Sequence, residues 1–212
     1  MNFIGIDLEG VLVPEIWVAL AHKTGEKELE LTTRDINDYD ELMKHRIKVL
    51  DSKGIKAKQL FDIAKDITPY EGALEFLSEI RKKYQVIVLS DTFFNLSQNI
   101  FCKLNYPTVF CHTLLVSENG MIEGMKKCIN DHKRKTLEAM NRLNFNTLAI
   151  GDSYNDINML KEAKNGILFR STKEIIDNYP NFFSCKEYNN LLAKINQFFK
   201  GKAIWIEENF FV

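Results

Sequence analysis

Short apolar runs alternate with amphipathic segments along most of this chain. Several of these runs are too short for helices and predict buried strands, at residues 3–6, 86–89, 147–150 and 166–169. Between them, apolar positions recur at helical spacing, for example around residues 74–80 and 133–143. Strands that alternate with helices in this way indicate an α/β fold, in which helices flank a largely parallel sheet.

The stretch after the first predicted strand departs from this alternation. Its apolar positions, among them Leu42 and Leu50, fit helices, and nothing in it predicts a strand. We therefore expect residues 14–68 to form a small helical cap. The cap is inserted into an α/β core that consists of residues 1–13 and 69–212.

The composition is that of an ordinary globular protein. Lys and Arg number 28 against 29 Asp and Glu, and this balance gives no sign of a nucleic-acid or membrane partner. The N-terminal sequence does not resemble a secretory signal, and no apolar run approaches the roughly 20 residues of a membrane span. We expect a cytoplasmic protein. Its apolar end could pack on its own core or on a partner in a homo-oligomer: Trp205, Ile206, Phe210 and Phe211.

Polar residues lie just after three of the predicted strands. Asp7, Ser90 and Asp152 each come just after an apolar run. In open α/β sheets, ligands bind outside the carboxyl ends of the strands. We therefore expect these three side chains to meet at one crevice. Two further carboxylates, Glu9 and Asp156, lie close to them in sequence.

These residue types suit the transfer of a phosphoryl group. A carboxylate can attack phosphorus, and carboxylate oxygens bind hard cations such as Mg²⁺. A hydroxyl such as that of Ser90 and an ammonium such as that of Lys133 can offset the charge of the transferred group. Each residue alone also has an ordinary explanation as a surface charge or a helix cap. Their joint order at strand ends and at a helix start favours a catalytic site.

The joint order resembles the motifs of the haloacid dehalogenase superfamily, in its phosphatase branch. The motifs are Asp7-Leu8-Glu9-Gly10-Val11, Ser90, Lys133, and Gly151-Asp152 with Asp156. This resemblance implies a Rossmann-like core. It also implies that Asp7 is the nucleophile and that Glu9 is a candidate acid or base.

The same resemblance implies roles for the remaining motif residues. Mg²⁺ would be held by Asp7, by the main-chain carbonyl of Glu9 and by Asp152. Ser90 and Lys133 would bind the phosphate. Asp156 would orient either Lys133 or a metal-bound water.

Glu9 departs from the common pattern, because phosphatases of this superfamily usually have aspartate there. The sequence more closely resembles a branch that hydrolyses phosphoserine and transfers its phosphoryl group to homoserine. The similarity includes residues 38–44 of the predicted cap and extends to about Tyr188.

Substrate contacts follow from this closer resemblance. Glu15 would bind the ammonium of the substrate and Arg46 its carboxylate, while Asn155 and the Ser90–Asp91 backbone would complete the pocket. Without the resemblance, Glu15 reads as a first-turn helix carboxylate and Arg46 as part of a solvated helix face.

Several alternatives stay open at this stage. The same machinery could act on another small phosphate ester, or the chain could be a catalytically silent module that binds such esters. The sequence does not decide whether water or homoserine accepts the phosphoryl group. Cys111-His112 is expected to be a strand end without a catalytic role, because no carboxylate lies near it in sequence.

Overall fold

The computed structural model describes residues 1–32, 35–36 and 38–200, so the apolar end of the chain lies outside the described residues. The strands are β1 (Asn2–Ile6), β2 (Gln85–Phe93), β3 (Val109–Val116), β4 (Ile122–Lys126), β5 (Asn146–Gly151), β6 (Asn165–Phe169) and β7 (Phe183–Cys185). The α-helices are α1 (Ile16–Thr24), α2 (Tyr39–Ser52), α3 (Ala57–Ala64), α4 (Ala73–Lys83), α5 (Gln98–Lys103), α6 (His132–Arg142), α7 (Ile157–Glu162), α8 (Lys173–Asn178) and α9 (Tyr188–Lys200). Short 3₁₀ helices span Lys27–Glu30 and Tyr154–Asp156.

The strands form one sheet in the order β4-β3-β2-β1-β5-β6-β7. All neighbours in this order are parallel except β3 and β4, which form an antiparallel hairpin. The predicted α/β fold with a largely parallel sheet is therefore confirmed. At the centre, Ile6 of β1 pairs with Val88 of β2 and with Ile150 of β5. This register brings the residues that follow β1 and β5 to the same edge of the sheet.

Both faces of the sheet are covered, as parallel sheets require. Phe3 of β1 belongs to one buried apolar cluster, together with Leu160 of α7 and Ile175 of α8. Its neighbour Ile4 points to the opposite face and joins a larger cluster that includes Ile195 of α9. This alternation along β1 is the two-residue period of a strand that is buried on both sides.

Helices α1 to α3 lie over the carboxyl-terminal edge of the sheet. The hydroxyl of Tyr39, at the start of α2, donates to the main-chain carbonyl of Asp91 at 2.6 Å. The Asp40 carboxylate forms an ion pair with Lys127, with 2.5 Å between Oδ1 and Nζ. The described part of residues 14–68 is helical or irregular, but its behaviour as a separate cap stays a prediction. No helix in the described part of the chain is long and apolar enough to cross a bilayer.

Candidate active site

A cavity of about 280 Å³ opens between α1, α2 and the carboxyl ends of the central strands. We call it the active-site cavity. It is lined by residues that the sequence predicted for one site: Asp7, Glu9, Glu15, Arg46, Ser90, Asp91, Lys133, Asp152 and Asn155. Asp156 does not line the cavity, because it is fully buried beneath it. The structure therefore brings together side chains that are distant in sequence.

Asp7 is held where β1 passes into the following loop. Its main-chain N–H donates to the carbonyl of Ile150 at 2.9 Å, which continues the pairing of β1 with β5. Its Oδ1 accepts from the main-chain N–H of Leu8 at 2.8 Å and lies 3.0 Å from Nζ of Lys133. Both contacts use Oδ1, so neither engages Oδ2. The side chain is buried yet reaches the cavity.

Gly10 allows the loop after β1 to lie directly against Asp152. Its φ of +74° lies in the left-handed region, and a Cβ atom there would be 2.4 Å from Cγ of Asp152. The loop closes through hydrogen bonds from the N–H groups of Leu12 and Val13 to the carbonyl of Leu8, at 2.8 and 3.0 Å. Any side chain at Gly10 would strain the backbone and displace the carboxylate.

Lys133 places its ammonium among three carboxylates. Its Nζ lies 2.9 Å from Asp156 Oδ1, 3.0 Å from Asp7 Oδ1 and 3.5 Å from Asp91 Oδ2. Burial lowers the pKa of Lys133, but Asp156, Asp7 and Asp91 outweigh it, so that its pKa lies well above the usual value. Lys133 is therefore a fixed cation at the base of the cavity.

Asp156 organises the loop that follows β5. Its Oδ2 accepts from the main-chain N–H groups of Asp152 and Ser153, at 3.0 and 3.2 Å, while Oδ1 faces Lys133. Gly151 makes room for it, because a Cβ atom at Gly151 would lie 2.4 Å from Cβ of Asp156. Of the two alternatives that the resemblance left open for Asp156, the structure shows the contact with Lys133.

Three carboxylates could hold a metal ion at this site. One oxygen each of Asp7, Asp152 and Asp156 lies within 4.8 Å of the others. The pKa of Asp7 is raised well above the usual value, first by burial and then by Asp156, although Lys133 opposes the shift. Such an acidic set attracts a hard cation, and oxygen ligands are those that Mg²⁺ prefers. Asp156 is already bonded through both oxygens, so Asp7 and Asp152 are the better donors.

The carboxyl group of Glu9 lies under the start of α1. Its Oε2 accepts from the main-chain N–H of Ile16 at 2.9 Å. Burial, followed by the charge of Glu15, raises the pKa of Glu9 to about 8. This shift favours the protonated form of Glu9, which is the form that can act as a general acid.

Arg46 points into the cavity from α2. Only 5% of its surface is exposed, so a solvated helix face is the wrong explanation for this residue. Its guanidinium lies 4.5 Å from the ring centroid of Trp17, and Nη2 donates to the carbonyl of Leu31 at 2.7 Å. Burial lowers the pKa of Arg46 to about 10, which still leaves it charged at pH 7.

The guanidinium of Arg46 is incompletely paired. Among the described residues, its Nε is buried without a hydrogen-bond partner. A buried donor on a charged group is costly unless a ligand satisfies it. Two exposed residues lie at the mouth of the same cavity. Glu15 directly precedes α1, and Asn155 follows β5.

Two histidines of the site were missed from sequence. His112 is not at a strand end but within β3, and its Nε2 lies 3.4 Å from Asp91 Oδ1. Nδ1 of His132 lies 3.8 Å from the same oxygen. The expectation that Cys111-His112 is a strand end is therefore wrong, and a carboxylate that is distant in sequence lies beside His112. The pairing of Phe93 with His112 brings the two segments together, and no local sequence signal reports it.

The chain matches a family model described as haloacid dehalogenase-like hydrolase over residues 4–164. It is 43% identical over 191 residues to phosphoserine phosphatase ThrH from Pseudomonas aeruginosa, across 90% of this chain and 93% of that protein. It is also 43% identical to a phosphoserine phosphatase from Pseudomonas syringae pv. tomato, across 88% of this chain and 78% of that protein. A solved structure of phosphoserine phosphatase in apo form matches with a TM-score of 0.74 and 25% identity, covering 91% of this chain and 98% of that one.

Proposed function

Because the chain belongs to the haloacid dehalogenase-like hydrolases, we propose that it is a Mg²⁺-dependent phosphoserine phosphatase that works through a phosphoaspartate at Asp7. The observation that carries this proposal is the pair of cations in one cavity. Lys133 lies beside the nucleophile Asp7, and the buried guanidinium of Arg46 faces the same space. A substrate with a phosphate at one end and a carboxylate at the other would satisfy both.

The cavity also offers groups for the rest of phosphoserine. Ser90 and Lys133, which line it, would bind phosphoryl oxygens, and Glu15 at the cavity mouth would bind the ammonium. Arg46 would bind the carboxylate through two N–H groups, a geometry that suits arginine better than lysine. Two relatives named as phosphoserine phosphatases support this choice of substrate.

The chemistry follows from the positions of Asp7 and Glu9. Oδ2 of Asp7, which is not used by Leu8 or Lys133, would attack phosphorus and form an acyl phosphate. Protonated Glu9 would give its proton to the departing serine oxygen and then take one from the attacking acceptor. Asp7, the carbonyl of Glu9 and Asp152 would hold Mg²⁺, which neutralises charge on the phosphoryl group when bound.

The decisive experiment compares wild type with Asp7→Asn on phosphoserine and on a generic aryl phosphate. The substitution removes both the nucleophile and a charged metal ligand, so we expect turnover to fall by several orders of magnitude, on the order of 10³ or more. Asp66→Asn, an exposed aspartate outside the cavity, is the matched control. Near-normal turnover of Asp7→Asn would exclude the covalent mechanism. An inactive wild type would favour a binding module, and activity on other esters alone would favour a different substrate.

We also propose that homoserine competes with water for the phosphoryl group. Homoserine shares the ammonium and carboxylate of serine, so Glu15 and Arg46 could seat it after serine leaves. The test supplies phosphoserine and homoserine together and follows phosphohomoserine and inorganic phosphate by phosphorus NMR. Glu9→Asp should shift the ratio toward inorganic phosphate, because it moves the carboxyl group by one methylene. Release of inorganic phosphate alone at saturating homoserine would leave a plain phosphatase.

A further inference from the structure

The side chain of Asp91 forms a boundary between two cavities. Besides the active-site cavity, a side cavity of about 200 Å³ is lined in part by Asp91, His112 and His132. The proposed phosphoryl transfer uses only the backbone of Asp91 and neither histidine. Yet both histidines are almost fully buried, with 3% of their surface exposed. Buried polar groups of this kind need an explanation.

Asp91 uses its two oxygens in different directions. Oδ2 faces Nζ of Lys133 at 3.5 Å, and Oδ1 faces Nε2 of His112 at 3.4 Å. Burial raises the pKa of Asp91, but Lys133, His112 and His132 together hold it well below the usual value. The carboxylate is therefore charged, and it lies between the catalytic ammonium and an imidazole.

The hydrogen bonds of His112 define which nitrogen carries the proton. The main-chain N–H of Cys128 donates to Nδ1 of His112 at 3.2 Å, so Nδ1 must present a lone pair. In the neutral ring the proton is then on Nε2, which faces Asp91. His112 can donate to Asp91 without becoming charged.

His132 has the opposite arrangement toward Asp91. Its Nε2 lies 3.1 Å from the carbonyl of Ser90, which can only accept, so Nε2 carries the proton. Burial lowers the pKa of His132 to about 4, so the ring is neutral at pH 7 and Nδ1 has no proton to offer Asp91. Of the two histidines, only His112 is set up as a donor.

A metal ion would require a different arrangement. One ligand atom each of Asp91, His112 and His132 lies within 4.8 Å of the others, which is close enough for a shared metal. However, a metal on Nε2 of His112 needs a lone pair there, while Cys128 already requires one on Nδ1. A neutral imidazole has only one such nitrogen. The hydrogen bond from Cys128 therefore argues for a proton, not a metal, between His112 and Asp91.

The ring of His112 is fixed by its packing. It lies 5.8 Å from the ring of Tyr39, 6.2 Å from that of Phe93 and 5.0 Å from that of His132, measured between centroids. Tyr39 also donates to the carbonyl of Asp91 at 2.6 Å. Both the backbone and the side chain of Asp91 are thereby held in one place.

We propose that His112 is a positioning residue, whose Nε2–H holds the Asp91 carboxylate against the ammonium of Lys133. This inference rests on the proposed function. When Asp7 becomes phosphorylated, its oxygen no longer offers Lys133 a free carboxylate. The carboxylates of Asp156 and Asp91 then remain in contact with the ammonium of Lys133, and His112 fixes the orientation of Asp91. The ammonium is thus aimed at the phosphoryl oxygens, where such donors contribute most in the transition state.

The first test is a double-mutant cycle with phosphoserine. His112→Phe keeps a ring but removes the donor, and Asp91→Asn removes the charge that the donor orients. We expect each variant to lower kcat by about tenfold with KM changed less than about twofold, since the lost contact matters mainly in the transition state. If His112 acts through Asp91, the double variant is no worse than the worse single variant. Additive losses would overturn the proposal.

His112→Gln and His22→Phe serve as matched controls. Glutamine can still donate through its side-chain amide, so we expect most of the activity to return, which a role in packing alone would not allow. His22 has a side chain that is 71% exposed, and its replacement should change nothing. Thermal unfolding of each variant distinguishes a loss of folding from a loss of the Asp91 orientation in a folded protein. A His112→Gln variant that folds but is as slow as His112→Phe would contradict the proposal.

Two readouts are independent of phosphoserine turnover. Long-range ¹H–¹⁵N spectra of the imidazoles should show His112 protonated at Nε2 and not at Nδ1 near pH 7. The opposite tautomer would overturn the proposal and would free Nε2 for a metal. Binding of orthovanadate with Mg²⁺, which mimics the five-coordinate phosphoryl group of the transition state, should weaken in His112→Phe by about two- to tenfold, since Lys133 would also contact its oxygens. If wild type does not hydrolyse phosphoserine, the proposed function fails, and unchanged orthovanadate binding in His112→Phe would separately refute the positioning role.

Discussion

Arg46 provides the sharpest single-residue test of substrate choice. Its guanidinium is buried over Trp17, and Nε has no partner among the described residues. Arg46→Ala should therefore lower kcat/KM for phosphoserine. The corresponding loss of transition-state stabilisation should be roughly 2–5 kcal/mol, the range for truncation of a buried charge pair. An aryl phosphate without a carboxylate should lose much less. Arg142→Ala, whose side chain is 78% exposed, is the control. Equal losses on both substrates would show that Arg46 does not bind the carboxylate.

His132 should make the stability of the fold sensitive to mild acid. Its pKa is lowered from 6.5 to about 4, mainly by burial, so the folded protein disfavours the protonated ring. The stability that this contributes is complete above the unfolded pKa of 6.5 and is lost as the pH falls toward 4. Between pH 7 and pH 5, the free energy of unfolding of wild type should fall by about 2 kcal/mol more than that of His132→Gln, a variant that keeps a donor for the carbonyl of Ser90. Urea unfolding at both pH values measures these free energies. Equal decreases in wild type and His132→Gln would contradict the prediction.

Motif residues were predictable from sequence because their signals are local. Asp7 and Ser90 follow an apolar run directly and Asp152 follows one after a single glycine, and the structure places all three on one cavity. The contact of Asp91 with His112 has no such signal, since it arises from strand pairing between β2 and β3. The burial of Arg46 was equally hidden, because only the packing of α2 over the sheet determines which face of the helix meets solvent.

At the level of elements, the number of residues in a strand or helix determined whether the sequence could predict it. Runs of about four apolar residues located β1, β2, β5 and β6. Helix α8 and strand β7 were not predicted. They contain six and three residues, too few to show a helical or a strand period.

The loop between β1 and α1 offers a test at the same scale. Gly10→Ala should raise the Mg²⁺ concentration needed for activity by about tenfold or more, because its Cβ would lie 2.4 Å from Asp152 in addition to straining the backbone. Gly54→Ala is a matched control, with φ of +64° but nothing within 4 Å of its Cβ. It should cost about 1 kcal/mol in stability without changing the response to Mg²⁺. An identical Mg²⁺ response in both variants would show that Asp152 is not a metal ligand.

At the scale of the whole molecule, the active site is a source of instability. The carboxylates of Asp7, Asp152 and Asp156 are crowded together, the first and the last of them buried, and Lys133 offsets only part of the repulsion. A carboxyl group whose pKa is raised in the folded state opposes folding at a pH where it is ionised. Functional sites commonly carry such a cost, which a bound ligand relieves.

Asp7→Asn should therefore stabilise the metal-free protein while it abolishes turnover. The substitution removes a buried charge, and although it also weakens one contact of Lys133, that ammonium keeps Asp156 at 2.9 Å and Asp91 at 3.5 Å. Burial and the charge of Asp156 raise the pKa of Asp7 against the attraction of Lys133, so we expect removal of this charge to stabilise the fold. With a chelator present, Tm should rise by roughly 2–4 °C for each kcal/mol relieved. Added Mg²⁺ should then raise the Tm of wild type but not of Asp7→Asn, because the variant lacks a charged ligand. Asp66→Asn should follow wild type in both conditions. A lower Tm for metal-free Asp7→Asn would mean that the ion pair with Lys133 dominates, and that the carboxylates do not form a strained site awaiting a cation.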